Sequence, residues 1–404
     1  MKTGWSRTAA RAAAASLLAL ALMAAPGAEA QGPLKIGVLT DLAGPYADAS
    51  GPGSIVATEL AIQDFGASTV NGQPIQVVSA DTQNKPDVAV AIARRWFDQD
   101  GVGVIVDLPV TPVAFGVQNA ATQAKRSVMI TASAASELYT KSCSSVSTHW
   151  ADDTNSLAAG TASRLMAAEK ADWFFISVDI SFGAALQRAA TQVIEARGGK
   201  VLGSVRHPTG TSDFSSLLLQ AQASGARYIG VTSVGNDLVN ALKQANEFGI
   251  GRDGSQSLVG FLVYITDIHS LGLAVTQGLT VTSGFYWDQS DAARAFAKRY
   301  REKTGLMPTK NHAEVYTSVL HYLRAAAATK SNDPVAVNRQ MRAMNLDVFG
   351  TPATVRADGR VLYDLGVYRV KAPAASKGAW DYYERIATIP QGEAFLPANP
   401  DCVK

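Results

Sequence analysis

The chain has 404 residues, of which 47% are hydrophobic and 17% charged. That composition excludes a disordered or fibrous polypeptide, and the length suits two domains better than one core. A formal net charge of +2 gives no electrostatic case for a nucleic-acid partner.

Residues 1–30 read as a secretory signal peptide. Lys2, Arg7 and Arg11 form a positive start, Ala12–Ala25 an Ala/Leu-rich stretch, and Ala28-Glu29-Ala30 a small-residue cleavage site. The apolar stretch is short for a membrane span. Cleavage after Ala30 removes three of the 36 basic residues and one of the 34 acids, leaving 33 of each and a neutral exported chain. Cys143 and Cys402 both lie in the mature part. An even cysteine count in an oxidising compartment predicts one disulfide, tying the C-terminal tail to the body.

Strands and helices then alternate. Leu34–Leu39 is a near-continuous apolar strand, as expected when both sheet faces are covered. Ser54–Phe65 has apolar residues at helical spacing, and Pro74–Ala80 is a second strand. Val88–Asp100 is a helix stopped by Gly101. Val102–Asp107 is a strand, Val113–Lys125 a helix and Ser127–Thr131 a strand. This order predicts a parallel, doubly wound sheet. The pattern restarts after Trp150. Helices are expected at Thr154–Ala168, Gly183–Arg197, Phe214–Ala223 and Asp237–Phe248. Strands are expected at Trp173–Val178, Lys200–Val205, Tyr228–Thr232 and Ser257–Tyr264. Three amphipathic helices follow, Asp291–Lys303, Asn311–Ala328 and Pro334–Met344. A hairpin then turns at Asp358-Gly359, and the Pro/Ala/Gly-rich tail from Lys371 reads as irregular.

Catalytic signatures are missing. There is no G-x-S-x-G elbow, P-loop or G-x-G-x-x-G helix start. The five histidines have no metal-ligand spacing, so no metal or cofactor is expected. Asp152-Asp153 read as helix-capping acids. What remains is a set of small polar and aromatic residues just after the strands, at the edge where open α/β sheets bind ligands. In the first half these are Tyr46, Leu108, Pro109, Thr111, Ser133, Ala134 and Ser136. In the second half they are Phe182, Asn236 and Tyr264. Together they predict a cleft between two similar halves.

At this point the sequence resembles a known family. The run Gly37-Val38-Leu39-Thr40-Asp41-Leu42-Ala43-Gly44-Pro45-Tyr46 resembles the first strand and loop of the branched-chain amino-acid type periplasmic solute-binding proteins, type I receptors of ABC importers. Asp81-Thr82-Gln83 with Pro86, Ile130-Thr131 with Ser136, Asp179 to Gly183, Ser212-Asp213-Phe214, and Gln244-Ala245 with Phe248-Gly249 fit in order and spacing. The resemblance implies an α/β fold of two Rossmann-like doubly wound lobes joined by three hinge crossovers, near Thr148–Asp152, Thr280–Ser283 and Gly350–Ala353. It implies residues 31–148 with 283–352 in the N-terminal lobe, and 149–282 with 353–404 in the C-terminal lobe and tail. It also implies a periplasmic, non-enzymatic monomer that closes over its ligand and is read by an inner-membrane ABC permease.

Carried over position by position, Thr111, Ser133, Ala134 and Ser136 match the hydroxyl and amide donors that hold a ligand carboxylate. Phe182 matches the aromatic before a second-lobe helix, and Tyr316 an aromatic on a first-lobe helix. Amino-acid members hold the ligand ammonium with an acid after a later second-lobe strand. Here that region reads Gly260-Phe261-Leu262-Val263-Tyr264, with no acid before Asp267. An uncompensated ammonium would be costly there. A small aromatic carboxylate is therefore expected, with a branched-chain or other amino acid, an amide or urea as alternatives. A sensing module for a signalling partner is the alternative role. Cys143 to Thr161 and Trp380 to Cys402 resemble members that bind aromatic acids. Within the first of these stretches, Trp150 either lines the cleft or packs the hinge.

Overall fold

The computed structural model describes residues 32–251 and 254–402; the expected signal peptide lies outside them. Strand Leu34–Thr40 is buried along nearly its whole length. It pairs in parallel with Gln73–Asp81 on one side and Val102–Asp107 on the other. Ser127–Ile130 and Ser147–His149 extend this sheet in parallel, and Thr69–Val70 is an antiparallel edge. The expected helix Val88–Asp100 is Pro86–Arg95 followed by a wider π turn, Trp96–Asp100, before Gly101.

The second sheet places Trp173–Val178 between Val201–His207 and Tyr228–Val231, with Ser257–Gly260 outermost, all parallel. The expected strand Ser257–Tyr264 stops at Gly260. Its later apolar residues lead instead into the helix Ile265–Leu271, capped at Tyr264, whose N–H donates to Asp267 at 2.9 Å. In both sheets the chain reverses its order beside the central strand, which creates a crevice at the strands' C-terminal ends.

The tail is more regular than its composition suggests. Tyr383–Ile389 is a strand, antiparallel to Leu365–Val370, which in turn pairs with Thr280–Ser283. The Pro/Ala/Gly-rich run is only the connection between two strands. Packing divides this stretch between the lobes. Ala353, Val355 and Val361 pack with Ile36 and Val38, whereas Tyr368, Trp380 and Tyr383 pack with Ile176 and Ile229. Ala394 and Phe395 return to the first core. Gly350 turns a hairpin in which Val348 faces Thr351, and packing with the first core continues to Val367. Cys143 and Cys402 form the expected disulfide, with their Cα atoms 5.7 Å apart.

The passages between lobes meet at Asp152, which is not a cap. Its Oδ2 accepts from the Gly284 amide at 3.0 Å and the Lys310 ammonium at 2.9 Å, and its Oδ1 accepts from Tyr363 Oη at 3.1 Å. Asp153 does cap the helix Thr154–Ala168, accepting from the amides of Asn155 and Ser156.

Candidate ligand-binding site

A narrow cleft lies between the C-terminal edges of the two sheets. Its first-lobe wall comes from three connections. Tyr46, Ala49 and Ser50 follow the central strand; Pro109, Val110 and Thr111 follow the next; Ala132 and Ala134 follow the third. The second-lobe wall is Ile180, Phe182, Val234, Leu262 and Tyr264. Asn311 completes it from the helix Lys310–Thr329.

Local chemistry fixes these positions. The Asp41 carboxylate accepts from the amides of Gly44 and Tyr46 at 2.7 and 2.9 Å and from Asn84, which holds the loop that presents Tyr46. Thr309 caps the helix Lys310–Thr329 and donates to the Ala49 carbonyl at 2.7 Å, while His312 Nε2 donates to the Ser50 carbonyl at 2.7 Å. Burial lowers the His312 pKa to about 4, which keeps this ring neutral. Gly53 makes that approach feasible, because a Cβ there would lie 2.0 Å from Tyr300 Oη and 2.4 Å from His312 Nε2.

The two walls touch. Asn311 Nδ2 donates to Tyr264 Oη at 3.1 Å across the cleft, and Ala49 and Ala134 share one apolar cluster with Phe182, Leu262 and Tyr264. Gly235 has φ 62 and lies so close to the Pro45 carbonyl that a Cβ would approach it to 2.9 Å. At the rim Arg188 and Glu137 stand 3.9 Å apart. This is a closed arrangement of the lobes.

Of the residues singled out from sequence, Tyr46, Pro109, Thr111, Ala134, Phe182 and Tyr264 line the cleft. Ser133 stands behind them, its hydroxyl donating to Thr111 Oγ1 at 3.3 Å and its carbonyl contacting His149 Nε2. Leu108 is packed in the core of the first lobe, and Ser136 is the buried first-turn neighbour of the short helix Glu137–Thr140. Asn236 is exposed, with Val234 in its place on the wall. Trp150 packs in the first core and donates to Thr148 Oγ1 at 2.8 Å, so it belongs to the hinge side. Tyr316 lies in a separate groove beside Asp64 and Arg299. Sequence reasoning missed Ala49, Ser50, Val110, Ala132, Ile180, Val234, Leu262 and Asn311. Most adjoin residues it named; Asn311 had only its place in the first turn of a helix.

The lining contains no Asp, Glu, Lys, Arg or His. Its polar groups are the hydroxyls of Tyr46, Ser50, Thr111 and Tyr264 and the Asn311 amide. In the loop after Ser127–Ile130, Thr131 and Ala132 donate their amides to the Asp107 carbonyl. Among the described residues, the amides of Ser133 to Ser136 have no backbone acceptor. The acid expected to meet an ammonium is occupied elsewhere. Asp267 is buried, its Oδ2 caps its own helix, and burial raises its pKa to about 7. Among the described residues no cluster of three metal-ligating side chains occurs.

The fold and the cleft are those of a two-lobed binding protein for a small molecule. Residues 33–379 match the periplasmic binding protein family, and the chain belongs to it. This is a family of solute-binding proteins of ABC transporters, not of enzymes. A periplasmic binding protein from Burkholderia mallei is 41% identical, with a TM-score of 0.87 over 91% of this chain and 97% of that one. A branched chain amino acid ABC transporter periplasmic ligand-binding protein from Burkholderia xenovorans LB400 is 40% identical, with a TM-score of 0.81 over 90% and 97%. Leu/Ile/Val-binding protein homolog 7 of Brucella suis is 27% identical over 184 residues, 42% of this chain and 44% of that protein, so this match spans less than half of the relative. At the level of fold alone, neighbours include a Rhodopseudomonas palustris solute-binding protein in complex with 4-hydroxybenzoate (21% identical, TM-score 0.78, covering 89% of this chain and 97% of that one). Another is a leucine-, isoleucine-, valine-, threonine- and alanine-binding protein from Brucella ovis (19% identical, TM-score 0.78, covering 92% and 98%).

Proposed function

We propose that this protein is the periplasmic receptor of an ABC importer for a small aromatic carboxylate, exported by cleavage after Ala30 and acting as a monomer. One observation carries the ligand class: the closed cleft is walled by apolar, aromatic and neutral polar side chains, with no formal charge. An aromatic ring would stack on Phe182 and fill the space between Leu262, Val234 and Pro109. The carboxylate would take the amides of Ser133 to Ser136 and the Thr111 hydroxyl, a set of donors that stabilises an anion without a counter-ion. Lobe closure excludes water and strengthens those bonds.

The name of the Burkholderia xenovorans relative favours a second reading, a branched-chain amino acid. Its ammonium would need an acceptor of opposite charge, and the lining offers none. A thermal-shift screen of the purified protein separates the two. Benzoates, phenylacetates and cinnamates form one set, and the amino acids the other. A ligand at 100 times its Kd adds about 2.7 kcal/mol to native stability, a visible rise in Tm. A shift with aromatic acids alone supports the first reading; a shift with leucine or valine alone overturns it.

A further inference from the structure

Beneath the cleft floor lies a carboxyl group that ligand contact leaves unused. Asp107 ends the strand Val102–Asp107 and is fully buried. Among the described residues neither of its carboxyl oxygens has a hydrogen-bond partner. It faces the hydroxyls of Thr40, Ser50 and Ser54, none of them closed to hydrogen-bond geometry, and Ser54 Oγ is also unpartnered. Its backbone has φ 94 and that of Leu108 φ 68, the left-handed region that side chains other than glycine avoid. Strain of this kind persists where surrounding structure enforces it, and it clusters at functional sites.

Ser50 links this acid to the ligand. It forms part of the cleft wall. Its Oγ accepts from Asn311 Nδ2 at 3.1 Å, and the same amide reaches Tyr264 Oη at 3.1 Å. A hydroxyl has one proton and two lone pairs. With Asn311 on one lone pair, the Ser50 proton has two destinations: inward to Asp107 or outward to the ligand.

We propose that Asp107 is a positioning residue that sets the polarity of Ser50. When ionised, it draws the Ser50 proton inward, and the cleft meets lone pairs. When protonated, it donates to Ser50 Oγ and frees the Ser50 proton for the ligand anion. Anion binding is thereby coupled to uptake of one proton by Asp107. This inference rests on the ligand being a carboxylate; an ammonium-bearing ligand would reverse its sign.

Of the groups packed around Asp107, it is the one that changes charge between pH 5 and 8; Asp267, raised to about 7 by burial, titrates in the same range from the second lobe, and its contribution would persist in Asp107→Asn. Burial raises the Asp107 pKa to about 6, and the Asp41 charge adds to that against the three hydroxyls. Of the groups on the neighbouring helices, burial pushes Tyr300 up, away from ionisation, and keeps His312 neutral with its pKa at about 4.

The experiment is a calorimetric titration with 4-hydroxybenzoate at pH 5 to 8, on the wild type, Asp107→Asn and Ser50→Ala, in buffers of differing ionisation enthalpy. The wild type should bind about thirtyfold more weakly at pH 7.5 than at pH 5 and take up a proton on binding. Asp107→Asn and Ser50→Ala should both lose this pH dependence. A flat wild-type profile, or the same slope in Asp107→Asn, overturns the proposal. If no aromatic carboxylate binds, the ligand reading fails, and carbon-13 NMR of the aspartates in the unliganded wild type then decides on Asp107 separately. Titration of Asp107 near pH 6 that moves in Ser50→Ala supports the coupling. Titration in the ordinary carboxylate range, untouched by Ser50→Ala, overturns it and needs no Asp107 variant to fold.

Discussion

Lys310 and Asn311 are neighbours in sequence, yet they serve two regions that treat charge in opposite ways. Asn311 faces the cleft, which is lined by neutral groups, while Lys310 faces the hinge. There Asp152, Lys310, Glu314 and Arg360 are all buried. Arg360 Nη1 donates to the Ala151 carbonyl at 2.6 Å, and its guanidinium lies 3.9 Å from the centre of the Phe395 ring. Glu314 is pushed well above the usual carboxylate range by burial and by the Asp152 charge. In the hinge the Asp152 carboxylate and the Lys310 ammonium are each other's fixed, buried partners. Ligand-facing groups must tolerate both water and ligand, and neutral donors lose less when they change between the two.

The largest test of this contrast is Asp152→Leu. It strands the Lys310 ammonium, whose side chain is only 3% exposed. Loss of one member of a buried pair costs about 3–5 kcal/mol. Denaturant unfolding should show this loss, and Asp152→Leu with Lys310→Met should recover most of it. A single-variant loss below about 1 kcal/mol, typical of exposed pairs, would mean that the hinge is wet and the contrast with the cleft is false.

Phe182→Ala attacks the other side. The ring is 7% exposed and lies among Ala49, Ala134 and Leu262. If it stacks on the ligand, affinity should fall by about 1.5–3 kcal/mol, roughly ten- to a hundredfold in Kd, by titration calorimetry. The pH profile of the remaining binding should keep its slope, because Ser50 and Asp107 are untouched. An unchanged Kd would remove Phe182 from the ligand's surroundings.

The contrast also explains what the sequence made legible. The strands Val102–Asp107 and Trp173–Val178 fall where expected because burial on both faces makes them continuous apolar runs. Cleft residues close to strand ends, such as Tyr46 and Phe182, were legible for the same reason: the strand locates them. Tyr383–Ile389 was hidden because its burial is confined mainly to the two ends. The hinge was hidden more deeply. Asp152, Gly284, Lys310 and Tyr363 come from four distant stretches, and only the return of the chain between lobes unites them. Adjacent acids such as Asp152 and Asp153 share a local signal for a cap, yet only Asp153 uses it.

The smallest expected effect is at Tyr316, and it tests whether one helix keeps its two faces separate. Tyr316 lies five residues beyond Asn311, and about 100° per residue puts it roughly 140° around the helix from the cleft. Its hydroxyl donates to Asp64 Oδ2 at 2.5 Å, and its ring stacks on Phe349 with centroids 5.5 Å apart. Tyr316→Ala removes those contacts and should cost about 1–3 kcal/mol of stability, the range for a partly buried aromatic. Ligand Kd should stay within about twofold, since additivity holds for sites without shared partners. A tenfold change would show that the far face of the helix reaches the cleft through Asn311, and neutral cleft and rigid support would then have to be treated as one cooperative unit.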